Sequence, residues 1–150
     1  MSVAAVEYGS LREKIAAESK ARKERYAKFA AVYDKAAAAG KAAGEAAKPA
    51  TMVVTQHADP LNDNSPAVKQ WVAPEGMCGF AWVKVSPGNS SFAKWLVKNK
   101  IARKAYYGGV DIWISAFGQS IERKEACARA MAKVLVEELG IKAYADSRLD

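Results

Sequence analysis

The chain has 150 residues, 51% of them hydrophobic and 26% charged, with 23 Lys and Arg against 16 Asp and Glu and a formal net charge of +7. That length suits one domain of ordinary size, or a smaller domain with an appendage, and it buries enough surface to fold without cross-links. Two cysteines with no Cys-x-x-Cys spacing, one histidine, and no apolar run near the roughly 18 residues of a membrane span argue against a disulfide scaffold, a zinc site and an integral membrane protein, and make a reducing, cytoplasmic compartment the expectation.

The charge is uneven. Residues 1–48 carry ten basic and six acidic side chains, residues 49–76 one and three, and residues 77–150 twelve and seven. Basic ends around a mildly acidic middle favour a polyanionic partner, because Lys and Arg release counterions from a phosphate backbone. The same surplus also serves plain solubility.

The first expected element is a long helix. Ser10-Leu11-Arg12-Glu13 has capping-box spacing and marks its start, and a run rich in Ala, Lys, Glu and Arg carries it through Ala39. Its apolar content is thin: Leu11 and Ile15, then Tyr26, Phe29 and Tyr33. Such a helix docks, self-associates or stays partly exposed. From Ala36 to Ala50 the sequence is nearly all Ala, Gly and Lys before Pro49, which reads as a fraying end and a linker. Residues 1–48 are therefore expected to be a helical arm. Residues 49–76 follow as an irregular connector, with one β-prone run at Thr51–Thr55 and turn formers at Asp59-Pro60 and Asn62–Pro66.

Residues 77–150 carry the clearer pattern. Gly79–Val85 alternates as a strand does, and Asn89 or Ser90 then caps a short helix with Phe92, Trp95 and Leu96 on one side. Two β-prone runs, Arg103–Tyr107 and Val110–Ser115, flank Gly108-Gly109 and predict a hairpin. Ser120 caps a longer helix with a stripe of Cys127, Met131, Val134, Leu135 and Leu139, and Gly140 ends it before a last strand at Ile141–Ala145. The expected fold is α+β: a four-stranded antiparallel ferredoxin-like βαββαβ sheet with two helices on one face, plus the N-terminal helical arm.

Strand periodicity assigns the faces. Ala81, Val83, Val85, Val110, Ile112, Ile114, Ile141, Ala143 and Ala145 go under the helices. The opposite face receives Phe80, Trp82, Lys84, Asp111, Trp113, Lys142 and Tyr144. A two-residue Gly108-Gly109 turn would add Lys104 and Tyr106 to that face. Bases stack on aromatic rings while cations meet phosphates, so this face suits single-stranded nucleic acid. A second basic stretch, Lys94 to Lys104, adds Lys98, Lys100 and Arg103, although cations there also complement the end of the short helix. The rival readings of the aromatic face are a contact with the arm or another subunit, and a small-ligand pocket.

The RNA-recognition-motif fold is similar in element order and aromatic placement. This chain lacks the Lys/Arg-Gly-Phe-Gly-Phe consensus at Tyr107–Trp113, and Asp111 would repel phosphate. No phosphate loop, nucleophile turn or metal spacing is present, so neither catalysis nor a cofactor is expected. His57 beside Asp59 reads as a solvated loop residue, Glu122–Glu125 as a solvated first helical turn, and adjacent Glu137 and Glu138 as a poor catalytic pair. Asp111 with Glu122 is the one pair that a nuclease or transferase would use.

The stretch Ala105–Trp113, then Gly118-Gln119-Ser120, Arg123-Lys124-Glu125-Ala126 and the ending Ile141–Asp150 resemble small uncharacterised proteins of tailed bacteriophages over roughly residues 78–150. The resemblance implies a setting in the bacterial host cytoplasm or the virion, and an accessory role. The expected function is binding of nucleic acid, single-stranded DNA first. The alternatives are an anti-defence inhibitor that sequesters a nucleotide signal or blocks a host protein, and a virion component that assembles as a homo-oligomer through the N-terminal helix.

Overall fold

The structure, a computed structural model, describes residues 3–150, with side chains described from Ser10 onward. The elements run α1 (Val3–Ala46), β1 (Met52–His57), β2 (Ala67–Ala73), β3 (Gly79–Ser86), α2 (Ser91–Lys98), β4 (Arg103–Lys104), β5 (Val110–Trp113), α3 (Ile121–Leu139) and β6 (Lys142–Leu149). Period-two alternation in β3 and β5 drives the main sheet, whose order is β4-β5-β3-β6 with every neighbouring pair antiparallel. Ala81, Val83, Val85, Val110 and Ile112 are buried on its inner face, as the alternation predicts. Ser90 and Ser120 accept from the amides of Ala93 and Arg123 as N-caps, and Gly140 closes α3 at φ 62°, a left-handed conformation that suits glycine.

Helices α2 and α3 cover the inner face, and α1 packs chiefly along α3. Phe29 of α1 meets Phe92 and Trp95 of α2 with ring centroids 5.2 and 6.0 Å apart. Phe29, Val32 and Ala36 belong to one cluster with the inward residues of β3 and β5, so half of α1 shares the sheet's core. The other half does not: every residue from Ser10 to Arg25 is exposed, Leu11 and Ile15 included. At 1.5 Å per residue this free length is about 24 Å. No helix among the described residues is long and apolar enough to cross a membrane.

Several expectations need correction. The helix already runs at Val3, so Ser10 and Glu13 lie in its interior and no capping box marks a start there; helix formers upstream continue the spiral. The Ala/Gly segment does not fray after Ala36 but stays helical to Ala46. It is held by a buried stripe of Phe29, Val32, Ala36, Gly40 and Gly44 at spacings of three and four. A Cβ on Gly40 would lie 2.6 Å from Met131 Cγ and 2.9 Å from Cys127 Sγ, so glycine permits an approach to α3 that alanine would block. Interior glycine costs about 1 kcal/mol of helix propensity, and close packing offsets it.

Residues 49–76, expected to be irregular, form a hairpin. β1 pairs only with β2, from Met52↔Ala73 to His57↔Ala67, in a two-stranded sheet of its own. Its turn uses the predicted formers: Asp59 Oδ1 accepts from Leu61 N and Asn62 Oδ1 from Asn64 N, whereas His57, expected to be a solvated loop residue, ends β1 half-buried with Nδ1 2.8 Å from Ser65 O. The base is clasped by the first turn of α3, which is therefore not merely solvated. Glu122 accepts from Ala50 N at 2.7 Å, and Ser120 Oγ donates to Glu75 O at 2.9 Å. Arg123 pairs with Glu75 and donates to Gly44 O and Glu45 O.

Candidate nucleic-acid interface

The main sheet presents its outer face to solvent. Phe80, Trp82, Lys84, Asp111 and Trp113 are all half-buried, and none belongs to the core cluster that α1, α2 and α3 share with the inner face. Cross-strand register explains the neighbours: Trp82 lies opposite both Trp113 and Asp146, Lys84 opposite Asp111 and Tyr144, Phe80 opposite Arg148, and Ser86 opposite Lys142. Phe80, Trp82, Lys84, Trp113, Lys142 and Tyr144 thus share the face, as alternation predicts.

The hairpin register differs from a two-residue Gly108-Gly109 turn. Arg103 pairs with Asp111 and Lys104 with Val110, and Ala105 N donates to Gly109 O at 3.1 Å. The turn is therefore the longer Tyr106-Tyr107-Gly108, with Gly108 and Gly109 at φ 97° and 71°. This exchanges two assignments. Arg103 takes the outer face, its guanidinium 4.4 Å from the Trp113 ring centroid, while Lys104 lies opposite the inward-facing Val110 and leaves that face. Tyr106 is an exposed turn residue rather than a strand partner of Asp111, although it borders the cleft beside Trp82. Lys98 belongs to the helical layer, 5.7 Å from the Tyr26 ring, and is not on the sheet face.

The aromatic rings are not equally available. Trp113 stacks on Trp82 at 4.9 Å with 28° between planes, meets Phe80 edge-on at 6.0 Å, and carries Arg103, so both its faces are engaged. Trp82 has Trp113 as its only ring partner among the described residues. It borders an open cleft of about 380 Å³ with Tyr106, Tyr107, Tyr144, Lys84, Asp111 and Asp146. The indole N–H groups of Trp82 and Trp113 are buried without a hydrogen-bond partner among the described residues, an uncommon state for a polar group.

Charge divides the face into two ends. Lys84 Nζ lies 3.3 Å from Asp111 Oδ1 and donates to Gly108 O at 3.0 Å, so it holds the turn and neutralises the carboxylate. The Trp82 cleft, with Asp146 added, carries no net positive charge. A second cleft, of about 430 Å³, opens at the Phe80 and Trp113 end and is lined by Lys100, Arg103 and Lys124 with Asp111 as its one carboxylate. Lys124 and Arg148 escaped the sequence reading. Lys124 is 6% exposed, its Nζ 5.7 Å from the Phe80 ring, and Arg148 lies 5.3 Å from the same ring. Arg148 falls on the face by the same alternation once the last strand is extended past Ala145 to Leu149. Lys124 has no such signal, since its burial depends on where α3 starts over the sheet.

Asp111 and Glu122 are both engaged elsewhere, with Lys84 and with Ala50 N. Glu138 is tied to Lys35, whose ammonium holds the carboxyl below its ordinary range. No three His, Cys, Asp or Glu side chains converge as metal ligands among the described residues. No protein-family model, no curated protein and no solved structure matches the chain.

Proposed function

We propose that this chain is a non-enzymatic binding protein that holds single-stranded nucleic acid, DNA in first place, on the outer face of the β4-β5-β3-β6 sheet. The observation that carries the reading is that the core cluster joins all three helices to the opposite face, leaving Phe80, Trp82, Trp113 and Tyr144 uncovered beside Arg103, Lys142 and Arg148. Rings supply sequence-tolerant stacking, and cations that surround them meet the backbone. The strand order and antiparallel pairing further support a ferredoxin-like reading of residues 77–150, a plan suited to such a platform. The resemblance to small tailed-phage proteins makes the infected bacterial cytoplasm the setting we propose.

The test is a salt titration of single-stranded and duplex oligonucleotides, with tryptophan fluorescence as readout. The reading expects quenching and tighter binding of the single strand, weakening as salt rises. No binding at low salt would overturn it. A second reading, assembly into a virion or another homo-oligomer, is favoured by the exposed Leu11 and Ile15 of α1 and by Val53, Val54, Trp71 and Val72 on the isolated hairpin. Sedimentation over a range of concentrations tests it, and a monomer throughout would sink it.

A further inference from the structure

The geometry points to a phosphate subsite in the cleft between Phe80, Trp113 and the Lys100–Arg103 segment, one that takes the phosphomonoester end of a strand. This rests on reading the sheet face as a single-strand platform and specifies where on that face a terminal phosphate goes. Three cations line the cleft, Lys100, Arg103 and Lys124, against one carboxylate, Asp111, whose Oδ1 lies 3.3 Å from Lys84 Nζ without a hydrogen bond among the described residues. Lys124 is 6% exposed, and its side-chain ammonium makes no ion pair or hydrogen bond among the described residues; it lies 5.7 Å from the Phe80 ring centroid. The packed stem fixes the ammonium beside Phe80 at the mouth of the cleft with no anion of the protein's own, which leaves its charge for an anionic ligand.

Lys100 gives independent support. It follows the Asn99 cap of α2 at φ 59°, the left-handed position that glycine fills at least strain. A lysine there sacrifices stability and places a third cation at the cleft. An internal phosphodiester carries one negative charge, whereas a terminal phosphomonoester carries about 1.5 to 2 at neutral pH. Three cations against one carboxylate, itself 3.3 Å from Lys84, leave a surplus of positive charge that matches the second. The neighbouring Trp82 cleft lacks net positive charge and leaves the adjoining base, rather than its phosphate, as the group suited to it.

The experiment compares one short DNA sequence carrying a 5′-phosphate, a 3′-phosphate or hydroxyls at both ends, by fluorescence anisotropy, with inorganic phosphate as a separate probe. One phosphorylated end is expected to bind about tenfold or more tightly than the hydroxyl form, the scale of a charge-assisted hydrogen bond. Lys124→Met should abolish that advantage. Lys100→Gly should reduce it while raising the melting temperature, an outcome that a purely structural role for Lys100 does not produce. Lys142→Ala should weaken all three strands alike. Equal affinity for phosphorylated and hydroxyl ends overturns the subsite and leaves the platform standing. Binding of inorganic phosphate without any oligonucleotide binding keeps a phosphate site and removes the strand, and with it the terminal-phosphate assignment. Binding of neither probe overturns both.

Discussion

Trp82 and Trp113 look equivalent along the sequence and are not equivalent in the sheet. Trp113 lies between Trp82 and Arg103, whereas Trp82 borders an open cleft. Trp82→Ala is therefore expected to weaken single-strand binding by about 1–3 kcal/mol, the scale of one base stack. Both variants lose the Trp82–Trp113 stack, but Trp113→Ala should cost more folding stability, because it also removes the edge contact with Phe80, worth about 0.5–1.5 kcal/mol, and the ring under Arg103. Paired melting and binding curves check this, and equal stability losses in the two variants would contradict it. The cations divide in the same way. Lys142→Ala should lower the salt dependence by about one phosphate contact, or roughly 0.7 in the log–log slope for a single strand. Lys104→Ala, off the face by register, should leave the slope unchanged. A change at Lys104 equal to that at Lys142 would refute the observed register.

At the scale of elements, the junction of α1 with α3 holds two groups that resist ionisation. Burial pushes the Cys127 thiol up, and burial together with nearby Asp34 pushes the Tyr33 phenol up. Both pKa values are raised in the folded state, so the contribution is complete below the ordinary ranges. It is lost as pH climbs past about 8.5 for the thiol and about 10 for the phenol, where the unfolded chain ionises first. Melting temperature should fall in that alkaline window, and Cys127→Ala with Tyr33→Phe should flatten the fall. Identical profiles for parent and double variant would count against the assignment. Local signals in these elements were readable: Ser90, Ser120 and Gly140 cap their helices through their own neighbours, and β3 and β5 alternate strictly. Facts that depend on a distant surface were not. Gly40 and Gly44 look like helix breakers until Met131, Cys127 and Phe117 stand opposite them. A Gly-Gly pair suits turns of two or three residues, so the shift that exchanged Lys104 for Arg103 had no local mark. The β2 segment, Ala-Val-Lys-Gln-Trp-Val-Ala, is exposed along nearly its whole length and lacks the alternation that a one-sided strand shows.

The whole molecule joins a packed body to a helix that belongs to it only in part. Deleting residues 1–25 removes no residue of the core cluster among the described side chains, and the remainder is expected to keep a cooperative melting transition near the parent's temperature. Deleting residues 1–48 removes Phe29, Val32 and Ala36 and exposes Trp95 and Met131, so it should lower the melting temperature markedly. Should the two truncations melt alike, α1 would be an appendage along its full length.

The single unbroken helix has a kinetic consequence. Starting a helix is the unfavourable step, and each further residue then adds one hydrogen bond for one ordered residue. The turns held by Phe29, Val32, Ala36, Gly40 and Gly44 provide that start, and the exposed residues grow outward from it without a core of their own. Opening should therefore begin at the unsupported end and travel inward like a zipper. Amide hydrogen exchange is expected to slow steadily from Ser10 toward Phe29 and then drop sharply where α3 begins to cover the helix. Uniform protection along α1 would mean that something else grips the arm.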